Sequence, residues 1–237
     1  ILSSSRSCPK KRTGQQRRTK VAGVCDRIIP QNRKKIFEGW QDSKRSMLEN
    51  YRNKLDSLGD VPEAIQMSEA GQLFRFKKLI EIGDLRGKRV LDIGCGRADF
   101  YAFLRDQIGN VDYVGLDIVQ ELVDLARQKY PTARILCHDL LENPLEMEFD
   151  YVFVSMVLNN NVPNMPTFAR ELLRRAFDMT RVALGFNFVS SYVNFSNPTG
   201  INHDPAKMLE FCLEELSVRT ELYHHYERCD VAVFVYR

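Results

Sequence analysis

No stretch of the 237-residue chain approaches the roughly 18 consecutive apolar residues that a membrane-spanning helix needs, and charged residues make up 27% of it, so a bilayer-spanning reading is excluded. An apolar segment of the secretory-signal type is also missing from its N-terminal region. The six cysteines (Cys8, Cys25, Cys95, Cys137, Cys212 and Cys229) form no CxxC pair and no Cys/His cluster at metal-ligand spacing. No metal site is expected. Cys95, Cys137 and Cys212 lie in or beside apolar runs, where free cysteine behaves as a small buried hydrophobe in a reducing compartment, so the expected location is the cytoplasm. Internal repeats are absent.

Hydrophobic residues make up 44% of the chain, enough for one large core. The 34 basic and 31 acidic residues sum to +3, but unevenly: residues 1 to 45 hold 13 Lys/Arg and 3 Asp/Glu, a net of +10, which leaves 21 against 28, or −7, for the rest. Only the leading segment is therefore basic. Residues 1–33, rich in Ser, Arg, Lys and Gln without apolar periodicity, have the composition of a disordered tail, with a nucleic-acid or targeting arm as the sharper alternative. The chain begins at Ile1 rather than Met, which leaves room for residues upstream.

From Ile36, apolar residues Trp40, Met47, Tyr51, Leu55 and Leu58 recur at helical spacing and predict an amphipathic helix ending near Gly59. Leu73, Phe76 and Ile80 predict a second, closing at Gly83. These residues, 34–70 with the start of the second helix, are read as an N-terminal helical extension or lid ahead of a domain at 71–237. Short apolar runs at 88–93, 113–117, 134–137, 151–155 and 181–189 then have the character of buried strands, with helical stripes between most of them. That alternation means an α/β fold with a mostly parallel sheet and right-handed crossovers. Asp204-Pro205 is a helix entry, and 218–223 with 231–236 predict a C-terminal antiparallel hairpin.

The most informative segment is VLDIGCGRADF at 90–100. A buried strand carrying Asp92 runs into a glycine turn at Gly94 and Gly96, and 23 residues after Gly94 the next strand ends in Asp117, where an acidic residue holds a ribose diol in sheets of this type. A dinucleotide would place its pyrophosphate on the following helix N-terminus. Here Asp99 stands where GxGxxG has its third glycine, and a carboxylate there repels a pyrophosphate by a few kcal/mol at an effective dielectric of about 20. The ligand expected is adenosine-containing and phosphate-free. S-adenosyl-L-methionine fits, with a diol for Asp117 and a cationic sulfonium and ammonium for Asp92.

Taken with YVGLDI, ILCHDLLENP and FDYVFVSMVLN, this segment resembles the class I S-adenosylmethionine-dependent methyltransferases over roughly residues 66–237, and most of all their bacterial small-molecule members. The resemblance implies a three-layer Rossmann-like sandwich with a seven-stranded sheet. It implies that Gly94, Cys95 and Gly96 approach the methionine part of the cofactor and that Asp117 and Ile118 meet the ribose. His138 and Asp139 would lie by the adenine amino group, Ser155 and Met156 would line the cofactor at the end of the fourth strand, and Arg75 would reach its carboxylate. One departure stands out: Ala98 replaces the third glycine of the family's GxGxG.

Methyl transfer from a sulfonium needs chiefly an in-line nucleophile about 3 Å from the methyl carbon. A hydroxyl or ammonium acceptor also needs a base, for which His203 and Tyr192 are the candidates, while His224 and His225 are expected to be structural or exposed. Asn159 and Asn160, after the fourth strand, are candidates for orienting the acceptor, with a turn-and-cap role for the asparagines as the rival reading. Phe186, Phe188, Tyr192 and Phe195 line a pocket or fill core. The expected function is methyl transfer to an O or N atom of a small molecule. The alternatives are an RNA methyltransferase that tethers its substrate through the basic tail, which the −7 charge of the remainder disfavours, and a non-catalytic cofactor-binding module.

Overall fold

Five of the short apolar runs become the parallel strands of one sheet. The computed structural model describes residues 29–194, 200–225 and 229–237, with backbone alone over 29–38. Its parallel strands are β1 (Arg89–Ile93), β2 (Asp112–Asp117), β3 (Arg134–Cys137), β4 (Phe149–Ser155) and β5 (Thr180–Val189). The helices are α1 (Ile29–Leu58), α2 (Glu69–Leu79), α3 (Asp99–Gln107), α4 (Gln120–Lys129), α5 (Met165–Asp178) and α6 (Pro205–Phe211), and the chain closes with β6 (Thr220–Tyr223) and β7 (Asp230–Tyr236). Strand order is β3-β2-β1-β4-β5-β7-β6, with β7 antiparallel to both of its neighbours. The expected α/β sandwich, mostly parallel with an antiparallel C-terminal hairpin, is thus the fold observed.

Strand alternation divides the core between two faces. Leu91, Ile93, Val114 and Leu116 point to the face covered by α1, α5 and α6, where Trp40, Met47, Phe168, Leu173 and Phe211 are buried. Val90 and Tyr113 point to the opposite face, where α2 and α3 contribute Phe76, Leu79, Phe100 and Leu104, and Cys95 packs with Val123 and Ala126 of α4. The chain runs from β1 outward to β2 and β3, then crosses back to β4 on the other side of β1. Reversal of direction leaves a crevice at the carboxyl ends of β1 and β4, the usual ligand position in such sheets.

Several local expectations shift. Helix α1 starts at Ile29, seven positions before the apolar stripe becomes readable, and ends as expected, with Gly59 at φ 74 and its N–H on the Leu55 carbonyl. Ser68 caps α2, Asp204 caps α6, and Pro166 sits in the first turn of α5. Strand β6 begins at Thr220 because Val218 is exposed. Cys137 is exposed too, since β3 is an edge strand, whereas Cys95 and Cys212 are buried as expected. Residues 1–28, which hold most of the basic tail, and Phe195 lie outside the described residues. Among the described residues no helix is long and apolar enough to cross a membrane.

Candidate functional site

The turn after β1 is fastened to β2. Gly94 and Cys95 both donate their backbone N–H to the Leu116 carbonyl, at 2.7 and 2.9 Å. Gly94 holds φ 74, and a Cβ built on it would stand 2.2 Å from a Val157 methyl, so only glycine fits there. Ala98, at the third glycine position, adopts φ 58 as the residue preceding α3. The departure from the family pattern is therefore tolerated by the same left-handed backbone that a glycine would take, with the strain this carries for an L-residue.

Asp117 closes β2 against this turn. One carboxylate oxygen accepts the Gly96 N–H at 2.7 Å and the other accepts the Val119 N–H at 2.9 Å. Burial raises its pKa and these backbone donors oppose the rise. Each oxygen keeps a lone-pair position, so a vicinal pair of hydroxyls can still donate to the carboxylate. Ile93, Gly94, Gly96, Asp117, Ile118 and His138 line one side of a cleft with about 910 Å³ of empty space, and Ser155, Met156, Val157 and Asn160 continue it past β4. A phosphate-free adenosine compound suits this cradle, which presents a carboxylate, close backbone and apolar walls and, among the described residues, no Lys or Arg in its lining.

The opposite wall comes from α1 and the turn after it. Trp40, Met47, Tyr51, Ile65 and Met67 all line the cleft. Trp40 donates through Nε1 to Asp139 at 2.8 Å and meets Phe168 edge-on at 5.0 Å. Lys44 reaches the same Asp139 oxygen at 2.8 Å and Glu142 at 2.7 Å. Burial pulls the Lys44 pKa down, but its two carboxylate partners more than compensate and the net shift is upward. The Tyr51 hydroxyl donates to Asn160 Oδ1 at 2.9 Å. Burial, with the nearby charge of Asp117, pushes the Tyr51 phenol up to about 12, so it stays neutral.

Gly94, Gly96, Asp117, Ile118, His138, Asp139, Ser155, Met156 and Asn160, all singled out in the sequence, therefore meet in one cleft. Others do not line it. Asp92 points to the α2/α3 face by strand alternation; it accepts a 2.7 Å hydrogen bond from the Tyr113 hydroxyl, and burial raises its pKa to about 7. Cys95 fills the core beneath α4. Arg75 is held by Asp230 through two bonds of 2.7 and 3.2 Å, a pair formed across 155 positions of sequence. Asn159 donates to the Ile201 carbonyl at 2.6 Å and accepts the Val189 N–H, which joins the segment after β4 to that after β5. The His203 ring is buried; Nε2 donates to the Leu158 carbonyl at 2.6 Å, and desolvation lowers its pKa. Tyr192 is 69% exposed. Neither candidate base faces the cleft. His138 bonds the Asn143 carbonyl through Nε2 at 2.7 Å, which leaves its other ring nitrogen, and the Asp139 carboxylate is engaged by Trp40 and Lys44 of α1.

The α1 wall is the part that the site motifs do not reveal. Trp40, Lys44, Met47 and Tyr51 follow one ridge of the helix, a signal sufficient to predict a buried face but not its location. Among the described residues no three His, Cys, Asp or Glu side chains stand together as a metal site.

Residues 90–176 match the family described as "Methyltransferase domain". The chain is 28% identical over 142 residues to the demethylmenaquinone methyltransferase of Bacillus cereus (strain ATCC 10987 / NRS 248), which covers 56% of this chain and 59% of that protein. It thus spans about three-fifths of the length of the curated relatives it matches. Among solved structures, a DhpI–SAH complex superposes with a TM-score of 0.61 at 17% identity, covering 82% of this chain and 96% of that one. Magnesium protoporphyrin IX methyltransferase from Synechocystis PCC 6803, with bound SAM, gives 0.54 at 18% identity, covering 70% and 78%. At these identities the likeness is one of fold.

Proposed function

We propose that the protein, whose residues 90–176 match a methyltransferase domain, transfers a methyl group from S-adenosyl-L-methionine to an O or N atom of a small molecule. The observation that carries the reading is the Asp117 carboxylate, buried at the end of β2, fixed by two backbone N–H groups and still able to accept from a diol beside a turn that only glycine can make. The bound donor supplies an activated methyl on a sulfonium.

What remains for the protein is placement and the exclusion of water. Asp117 grips the ribose hydroxyls, while Gly94 and Gly96 allow the backbone close to the methionine part. Ile118 and Leu140 present apolar surface to the base. Ser155 and Met156 close the floor, with the Met156 N–H held by Asn187 Oδ1 at 2.7 Å. We read residues 34–70 as a lid over this seat, since α1 and the turn after it supply Trp40, Met47, Tyr51, Ile65 and Met67 to the facing wall, beside Met165, Phe168 and Leu172 of α5. With His203 bonded to Leu158 and Tyr192 in solvent, the neutral Tyr51 hydroxyl and the Asn160 amide are polar groups of the cleft that can orient an acceptor. An acceptor bound in its deprotonated or amine form needs orientation more than a base.

Two measurements test the reading. Asp117→Ala is expected to weaken S-adenosylhomocysteine binding in calorimetry by at least about 1 kcal/mol, because charge-assisted bonds to the diol are lost. Unchanged affinity would remove Asp117 from the seat. Incubation with labelled donor and a metabolite extract should then yield a product heavier by one methyl group.

A further inference from the structure

A second cavity, with about 670 Å³ of empty space, opens on the far side of Tyr51. It shares Met47 and Asn160 with the cofactor cleft, so the two spaces adjoin. Their characters differ. The cleft is walled mostly by apolar side chains, whereas this cavity is bounded mostly by polar ones, Ser46, Asn50, Lys54, Gln66, Asn160 and Asn161, with Met47 and Val162 beside them.

Helix geometry explains the division. Trp40, Met47 and Tyr51 line the cleft from one ridge of α1; Ser46, Asn50 and Lys54, at i, i+4 and i+8, form the neighbouring polar ridge facing the side cavity. Tyr51 marks the boundary, with its hydroxyl bonded to Asn160 and also to the Gln66 side chain. Gln66 holds a left-handed backbone at φ 62 in the turn after Pro62, which brings its amide to this wall.

Lys54 is the charged side chain among the lining residues, and among the described residues no carboxylate pairs with its ammonium. It contrasts with Lys44, ten residues earlier on the same helix, which has two carboxylates. A half-buried ammonium with amide and hydroxyl neighbours and no counter-ion is an environment for an anion: Lys54 supplies charge, and the amides and hydroxyl supply directed hydrogen bonds. Partial burial lowers the Lys54 pKa.

We propose that the methyl acceptor is a small anion bearing a carboxylate or phosphate group, its charged end on Lys54 in the side cavity and its nucleophilic O or N directed past Tyr51 and Asn160 toward the cofactor cleft. The proposal rests on the methyltransferase reading above for the identity of the cleft's occupant. It accounts for the side-by-side placement of an apolar seat and a polar cavity, and for a neutral Tyr51 between them, which would not repel an anion.

The test uses the full chain saturated with S-adenosylhomocysteine and titrated with benzoate and, separately, inorganic phosphate. Each probe reports one source of the shared charge, and the tighter one identifies it. In the wild-type protein at least one should bind, and Lys54→Met should weaken that binding about tenfold or more while Lys54→Arg retains most of it. Affinity for S-adenosylhomocysteine should be unchanged in both variants, which also shows that they are folded. Equal anion affinity in wild type and Lys54→Met, or no binding of either probe to the wild-type protein, overturns the proposal. If S-adenosylhomocysteine itself does not bind, the methyltransferase reading fails, and the same anion titration of the unloaded chain still decides the side cavity.

Discussion

On the β1–β2 side, the cleft is made of backbone and of one carboxylate held by backbone; on the α1 side it is made of long side chains that reach across 98 to 109 positions of sequence. The first wall lies within some 25 residues of chain and depends on φ angles that few residues adopt, while the second depends on a helix docking in one orientation. Binding chemistry common to a fold can be written into a turn. Chemistry that distinguishes one member from another is more readily placed on a side-chain wall, where substitution does not disturb the sheet.

If the backbone wall is as unforgiving as this comparison implies, Gly94→Ala should be the most damaging change. It combines a left-handed φ with a 2.2 Å clash against Val157, and a loss of about 3 to 5 kcal/mol is expected in chemical denaturation. A loss below about 1 kcal/mol would show that the turn relaxes and that the two walls do not differ in kind.

Asp92 sharpens the comparison from beneath. Its folded pKa of about 7 exceeds the ordinary 3.8, so the folded state binds more protons in that interval. Stability from this group is present below the unfolded value and is lost as pH rises through about 7. Asp92→Asn removes the titration while keeping an acceptor for Tyr113, so its stability relative to wild type should rise by roughly 2 to 3 kcal/mol between pH 5 and pH 8. A pH-independent difference in denaturant midpoints would mean that Asp92 is solvated.

The smallest of these effects is expected on the side-chain wall. Trp40→Phe keeps a ring against Phe168 and loses the bond to Asp139, which Lys44 still holds. About 1 to 2 kcal/mol of α1 docking should disappear, seen as faster proteolysis within the helix without loss of the sheet's cooperative unfolding. Equal loss in both would make α1 part of the sheet's own cooperative unit.

Much of this was readable before any coordinates. The seven strands, the glycine turn and the Asp117 position follow from local apolar runs and short spacings, because a parallel sheet buries whole segments and each acidic strand end is marked by its neighbours. Sequence reasoning failed where long-range pairing decides. Arg75 is a plausible cofactor ligand until Asp230, 155 residues on, is seen to hold it. Asp92 looks like part of the seat because its strand ends there, and only the sheet's faces show that its side chain lies on the other side. The position of His203 near the carboxyl edge was inferable, but not its rotation inward onto Leu158.

The antiparallel insertion of β7 between β5 and β6 bears on how the molecule is made. As the polypeptide leaves the ribosome, β5 is complete at Val189, yet the strand that covers its open side starts only at Asp230. At about 5 to 20 residues per second that gap lasts roughly 2 to 8 s, during which an unpaired strand edge is available to any passing strand. The order of the strands thus sets an interval in synthesis during which the β5 edge has no partner on that side.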